Sequence, residues 1–191
     1  HKTIDYIILG GGCSALSLAV EIIKTNIQNL SFLIIESRSK YKDDRSWCFW
    51  EKKNKNKISF INRSWNNFSF SMRDSKVVHS SIEYQYSYVR SIDFYKNALK
   101  KIKASQNIDL HLNEKVRKII KLNKKYMVQS SKEIYYAKNI LDTRPKKNIY
   151  LKNPFLFQCF LGYEILLKGK KLNINEAGIM ENMRSEKNIF F

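Results

Sequence analysis

Ile4-Asp5-Tyr6-Ile7-Ile8-Leu9-Gly10-Gly11-Gly12-Cys13-Ser14-Ala15-Leu16-Ser17-Leu18-Ala19-Val20-Glu21-Ile22-Ile23-Lys24 is the stretch on which the fold turns. Its first six residues form a β-branched apolar run of strand length, closed by three glycines, and read as a buried strand. Beyond the glycines, Leu16, Ala19, Val20 and Ile23 recur at helical spacing, so residues 14–24 are a predicted helix, ended by Asn26. Phe32-Leu33-Ile34-Ile35 is a second buried strand that closes on Glu36. Gly10-Gly11-Gly12-Cys13-Ser14-Ala15 fits G-x-G-x-x-G/A, a weak pattern alone. Here a strand precedes it, a helix comes after it, and an acidic residue ends the next strand about 20 positions on, the context of a dinucleotide-binding turn. Gly10 permits the tight turn, Gly12 lets the backbone approach a pyrophosphate, and Ala15 keeps the helix close to the strand. The helix start, with Gly11, Cys13 and Ser14 in the loop, offers unpaired N–H groups and partial positive charge to phosphates. Cys13 reads as a small residue beneath the phosphates rather than a reactive thiol. Glu36 can accept hydrogen bonds from a ribose diol, which suits an unphosphorylated ribose such as that of FAD or NAD.

The rest of the chain favours FAD over NAD. A plain NAD domain continues with parallel strands and helices, whereas residues 37–50 leave the unit as a polar, then aromatic, ordered excursion. From 58 to 89 come short, partly alternating stretches with Trp65, Phe68, Phe70, Val77, Val78, Tyr84, Tyr86 and Tyr88, read as antiparallel strands. Residues 92–104 form a predicted amphipathic helix with Ser91 or Asp93 near its cap. Short strands are predicted around Leu110, at 116–122, 126–129 and 133–136, a separate one at 139–141 leading to Asp142, and another at 155–167. Flavoproteins often build a substrate region into such an insertion. The predicted class is α/β: a Rossmann-like FAD-binding fold with an inserted antiparallel-sheet substrate region, truncated at the C-terminus. The predicted divisions are 1–57 and 92–145 for the FAD-binding part, 58–91 for the start of the substrate region and 146–191 for its further, incomplete strands.

Composition sets the outer bounds. The 191 residues are 43% hydrophobic and 13% aromatic, enough for a packed core, and six glycines and two prolines exclude collagen-like and linker architectures. The net charge of +18 suggests a polyanion partner, but 27 of the 35 basic residues are lysines, scattered in short runs along the whole chain. A nucleic-acid footprint clusters on one face, so no nucleic-acid partner is expected; diffuse charge of this kind suits an anionic membrane surface. Cys13, Cys48 and Cys159 form no zinc spacing, the three histidines no ligand pattern, and no metal is expected. The apolar run 6–20 is shorter than the roughly 20 residues of a membrane span and holds three glycines. The chain starts at His1 and stops in an apolar run at Phe191, so it reads as a piece of a longer protein.

Several further segments together resemble one family, the FAD-dependent lycopene cyclases of the β-cyclase type. Asp43-Asp44-Arg45-Ser46-Trp47-Cys48-Phe49-Trp50-Glu51 is similar to their most distinctive signature, and Tyr88-Val89-Arg90-Ser91-Ile92-Asp93-Phe94-Tyr95 to their Arg-Ser-x-Asp-Phe-Tyr motif. Asp142-Thr143-Arg144-Pro145 and Phe160-Leu161-Gly162-Tyr163-Glu164-Ile165 resemble two more, as does the opening 5–17. The resemblance implies cyclisation of lycopene end groups to β-rings without net redox change, using reduced FAD, with NAD(P)H as reductant and carboxylates as acid and base. It implies Glu164 as a catalytic residue, Arg45 and Arg90 as arginines facing the cofactor, and Asp142 in the cofactor set. Lycopene or a related carotenoid is the implied substrate, at a membrane surface in the cytoplasm. A carboxyl that protonates an alkene needs a raised pKa, which a hydrocarbon pocket supplies by desolvation. Aromatic faces stabilise a developing carbocation, and Trp47, Phe49, Trp50, Trp65, Phe68 and Phe70 are candidates for that role or for core. The family pattern is departed from at Tyr163 and Asn182, and its later acidic motif is not in this chain; the piece alone is expected to be inactive. Another FAD-dependent monooxygenase, an isoprenoid reductase, or a non-catalytic dinucleotide-binding fragment stay open as alternatives.

Overall fold

The computed structural model describes residues 3–27, 29–53, 58–72, 75–145 and 175–181. In chain order the elements are β1 (Ile4–Leu9), α1 (Cys13–Lys24), β2 (Phe32–Ile35), β3 (Ser46–Lys52), β4 (Arg63–Trp65), β5 (Asn67–Met72) and β6 (Ser75–Ser80). Next come β7 (Tyr84–Arg90), α2 (Ser91–Ala104), β8 (Ile108–His111), β9 (Val116–Lys121), β10 (Tyr126–Ser130), β11 (Ile134–Asp142) and β12 (Glu176–Glu181). The predicted strand at 155–167, with Glu164, lies outside the described residues, as does Asn182.

The chain divides into two units. One holds 1–47, 58–62 and 89–145; the other holds 48–57, 63–88 and 146–191. The excursion therefore leaves the first unit at Cys48 and not at the predicted residue 58, and residues 58–62 stay with the first unit, where Phe60 sets its ring edge-on to Phe94 at 5.6 Å.

In the first unit a six-stranded sheet has the order β8-β2-β1-β11-β10-β9. Its four parallel strands, β8, β2, β1 and β11, are the third, second, first and fourth in chain order, the doubly wound arrangement. The apolar runs at 7–9 and 32–35 are continuous because both faces of these central strands are buried. Helix α1 buries Ala15, Leu16, Ala19 and Ile22, one face at helical spacing. It ends as expected near Asn26, which takes a positive φ of 53° that asparagine tolerates. Helix α2 buries Phe94, Tyr95, Ala98 and Ile102.

Two local expectations are refined. The strands predicted at 133–136 and 139–141 are one strand, β11, which trades partners at Ala137: its first half pairs antiparallel with β10, its second parallel with β1. Lys138 and Asn139 broke the apolar pattern without breaking the backbone, since Lys138 pairs with Asp5 at 2.7 Å and the Asn139 amide donates to the Asp5 carbonyl. Ser91 and Asp93 do stand near the cap of α2, in its first turn, but neither side chain caps it. Its N-cap is Arg90, with no side-chain capping bond. The Ser91 hydroxyl serves residues 42–45 instead, and Asp93 accepts from Asn62 at 2.7 Å.

The second unit carries two three-stranded sheets, β3-β7-β4 and β12-β5-β6. The aromatic stretches do form antiparallel pairs there, β4 with β7 and β5 with β6. The tract before them, read as an ordered excursion, contains the start of β3, and β12 joins β5 in parallel.

Candidate functional site

The glycine turn sits at the C-terminal end of β1, between β2 and β11. Gly10 has φ +90°, and a Cβ there would lie 3.1 Å from both Thr143 Oγ1 and Arg144 Cγ, so conformation and space both require glycine. The Thr143 hydroxyl and N–H both donate to the Leu9 carbonyl at 3.0 Å, which buttresses the turn from the end of β11. Gly11 is constrained by neighbours: a Cβ would meet the Tyr41 hydroxyl at 2.5 Å and Glu36 Cβ at 3.0 Å. At Gly12 the situation reverses. It is the N-cap of α1 in an extended conformation that any residue adopts, and a Cβ there would meet nothing within 4 Å. No side chain caps α1 and no acid stands in its first turn. The helix start thus offers N–H groups and partial positive charge to open space, which fits a phosphate group. Ala15 is fully buried, Ser14 is exposed, and the half-buried Cys13 thiol lies 4.0 Å from the Ser17 hydroxyl.

Glu36 closes the other side, 6% exposed. Its Oε2 accepts the Gly11 N–H at 2.7 Å and an Arg38 guanidinium N–H at 3.1 Å; its Oε1 accepts the Arg38 backbone N–H at 2.8 Å and the Ser37 hydroxyl at 3.2 Å. Burial pushes the carboxyl upward, but the bonds from Arg38 and Gly11 outweigh it and hold the pKa below the ordinary value, so the group is a carboxylate at neutral pH. Its backbone is tied on both sides: Glu36 N–H donates to the His111 carbonyl and Glu114 N–H to the Glu36 carbonyl, each at 2.9 Å.

Two residues at the turn carried no sequence signal. Arg38 reaches the Gly11 carbonyl at 3.0 Å and lies over the Tyr41 ring at 4.7 Å. Burial pulls its pKa down, while Glu36 and Tyr95 raise it further, so it stays charged. The Tyr41 hydroxyl donates to the Gly11 carbonyl at 2.8 Å; burial first, and the Glu36 charge second, push its pKa up and keep it a neutral donor. Both act on the Gly11 carbonyl, a backbone atom that any residue type exposes, so spacing could not flag them.

The structure brings Arg38, rather than Arg45 or Arg90, into hydrogen-bond contact with the turn. Arg45, 59% exposed at its side chain, pairs with Asp44 at 3.3 Å. Arg90 pairs with Asp43 through two nitrogens. Residues 42–45 are sewn to the start of α2 by the Ser91 hydroxyl, which accepts from the Asp44 and Arg45 N–H groups, and by the Ser91 N–H, which donates to the Arg45 carbonyl at 2.9 Å. Asp142 ends β11 beside Leu9 and holds Arg144 through both carboxylate oxygens, at 2.8 and 2.7 Å. Glu164 lies outside the described residues. Among the described residues no group of three His, Cys, Asp or Glu side chains could hold a metal, and no helix is long and apolar enough to cross a membrane.

The family model described as "Lycopene cyclase protein" matches residues 5–189. No curated protein sequence matches the chain. Among solved structures it is similar to p-nitrophenol 4-monooxygenase PnpA from Pseudomonas putida, at 14% identity and TM-score 0.54 over 75% of this chain and 41% of that one. A geranylgeranyl bacteriochlorophyll reductase-like protein from Thermoplasma acidophilum matches at 18% identity and TM-score 0.52, over 74% and 39%. Halogenase PltM, in complex with phloroglucinol and FAD, matches at 16% identity and TM-score 0.51, over 74% and 34%. The likeness is one of fold, and the chain spans well under half the length of each.

Proposed function

This chain belongs to the lycopene cyclase family, and from that premise we propose that the protein works in carotenoid biosynthesis, closing the end groups of lycopene into β-rings with FAD bound. The observation that carries the reading is the family match across residues 5–189. Two features of the turn support the cofactor: open space where a Gly12 side chain would stand, and a buried, ionised Glu36 at the end of β2. PltM, of similar fold, has been seen with FAD. In this reading Gly10–Ala15 and the start of α1 hold the pyrophosphate, and Glu36 holds the adenosine ribose. Arg45, Arg90 and Asp142 complete the cofactor set. Held by these residues, reduced FAD, with NAD(P)H as its reductant, would supply negative charge to a reaction whose substrate becomes positive.

The chain's own part is acid–base work. A carboxyl group gives a proton to the terminal double bond, the neighbouring double bond attacks the resulting cation to form the ring C–C bond, and a base removes a proton to leave the ring double bond. One proton enters and one leaves, so there is no net redox change. Glu164 is proposed for this acid–base role. A hydrocarbon substrate dissolves in a bilayer, so a peripheral position on the cytoplasmic face of a membrane, helped by the +18 charge, belongs to the same proposal.

Expressing the full-length gene in lycopene-accumulating bacteria tests it: the cells should turn from red to orange-yellow. Glu164→Gln should abolish cyclisation while flavin stays bound. Product formed with stoichiometric NAD(P)H consumption would overturn the reading in favour of a reductase or monooxygenase.

A further inference from the structure

We infer that Trp50, clamped between Phe68 and Tyr86, is the aromatic face that steadies positive charge on the polyene end group as it closes; this rests on the proposed cyclase activity. The structure sorts the aromatic residues that sequence alone left together. Trp47, half-buried, packs edge-on with Phe94 and Tyr95 at 5.4 and 5.7 Å within the first unit. Trp50 lies in the second unit, where the alternation along β3 sends it to the side opposite Phe49 and Glu51. Its ring centroid is 4.5 Å from that of Phe68, at 76°, and 4.8 Å from that of Tyr86, at 47°. Phe68 continues the cluster, with Phe70 at 6.1 Å and His79 stacked at 5.7 Å.

Ring contacts with both Phe68 and Tyr86 restrict the indole, yet Trp50 is 46% exposed. Tryptophan is highly buried on average, so a large ring both fixed and open is a poor use of apolar area for stability alone. It is a good use for a ligand. Aromatic faces cover a hydrocarbon without asking it for hydrogen bonds, and their negative quadrupole attracts a cation. The substrate of the proposed reaction is a hydrocarbon that carries a full positive charge from protonation to proton loss, so the charge of the ring face and that of the substrate are complementary. Tyr86 strengthens the wall as a neutral ring, since burial and the neighbouring Cys48 push its hydroxyl pKa up.

The test uses the full-length protein in lycopene-accumulating bacteria, with cyclised product, flavin per protein and melting temperature read together. Trp50→Phe keeps a π face and should retain most of the product. Trp50→Leu keeps apolar bulk without the π face and should lose about tenfold or more, with flavin content and co-purifying lycopene unchanged. If the leucine variant melts early, Phe68→Leu, which leaves Trp50 but loosens its clamp, should lower product about threefold at wild-type flavin content. Wild-type cyclisation in the leucine variants would overturn the assignment while leaving the cyclase reading intact. Absence of cyclised product from the wild type would overturn the cyclase reading itself.

Discussion

In the first unit Ile7, Ile8, Leu9 and the whole of β2 are sealed on both faces, while in the second Met72, Val77, Val78 and Ile82 stand in solvent and every residue of β6 is exposed. A sheet covered on both sides keeps its faces for packing, and ligand chemistry is left to its ends, where backbone groups emerge. A sheet with an open face can use the face itself. The candidate cofactor turn is accordingly made of N–H groups, one carboxylate and three glycines, and the candidate substrate wall of rings.

The sharpest way to break this contrast is Gly12→Val. The backbone there accepts valine, and the side chain would enter open space, so the variant should lose nearly all its flavin absorbance while melting close to flavin-free wild type. Retained flavin would mean that the helix start is not the cofactor site. Gly11→Ala should act on stability instead. Its Cβ falls 2.5 Å from the Tyr41 hydroxyl, and overpacking of this kind costs about 1–3 kcal/mol in urea unfolding. Adding Tyr41→Phe should return part of that loss, because it deletes the colliding oxygen.

A smaller effect comes from Glu36. Its folded pKa lies below the ordinary value of 4.5, so its contribution to stability is complete above that pH and fades as pH falls through the folded value. Glu36→Gln should therefore flatten the acid limb of a melting-temperature profile between neutral pH and about pH 3, where a wild type without that limb would contradict the bonding described. At the other extreme, Ile82→Ser in the second unit, at a residue 94% exposed, should change stability by no more than about 0.5 kcal/mol.

The legibility of these features depends on which atoms carry them. Strands β1 and β2 and helix α1 could be read from residues 4–35 because burial on both faces or on one helical stripe leaves a periodic trace in residue type. Glu36 could be singled out for a different reason, its fixed place after the glycine motif. Strand β3 was hidden because Ser46-Trp47-Cys48-Phe49-Trp50-Glu51-Lys52 mixes aromatic and polar residues on both sides, exposing Trp50 and half-burying Glu51. The unity of β11 was hidden because Lys138 and Asn139 are polar, while pairing is a property of the backbone. Arg38 and Tyr41 were invisible since each takes the Gly11 carbonyl, an acceptor that no sequence pattern marks. The clamp on Trp50 joins β3, β5 and β7, a meeting that only the folded sheets bring about.

The buttress on the glycine turn has a consequence in time. Thr143 bonds to Gly10 across 133 positions of the chain, and β1 gains its second neighbour only when residues 137–142 arrive. The glycine turn is therefore complete only once a segment far along the chain has reached it. Contacts of such long range are slow to form because loop closure precedes any reward. Completion of the turn is therefore set by the arrival of the fourth parallel strand rather than by the first appearance of the glycines.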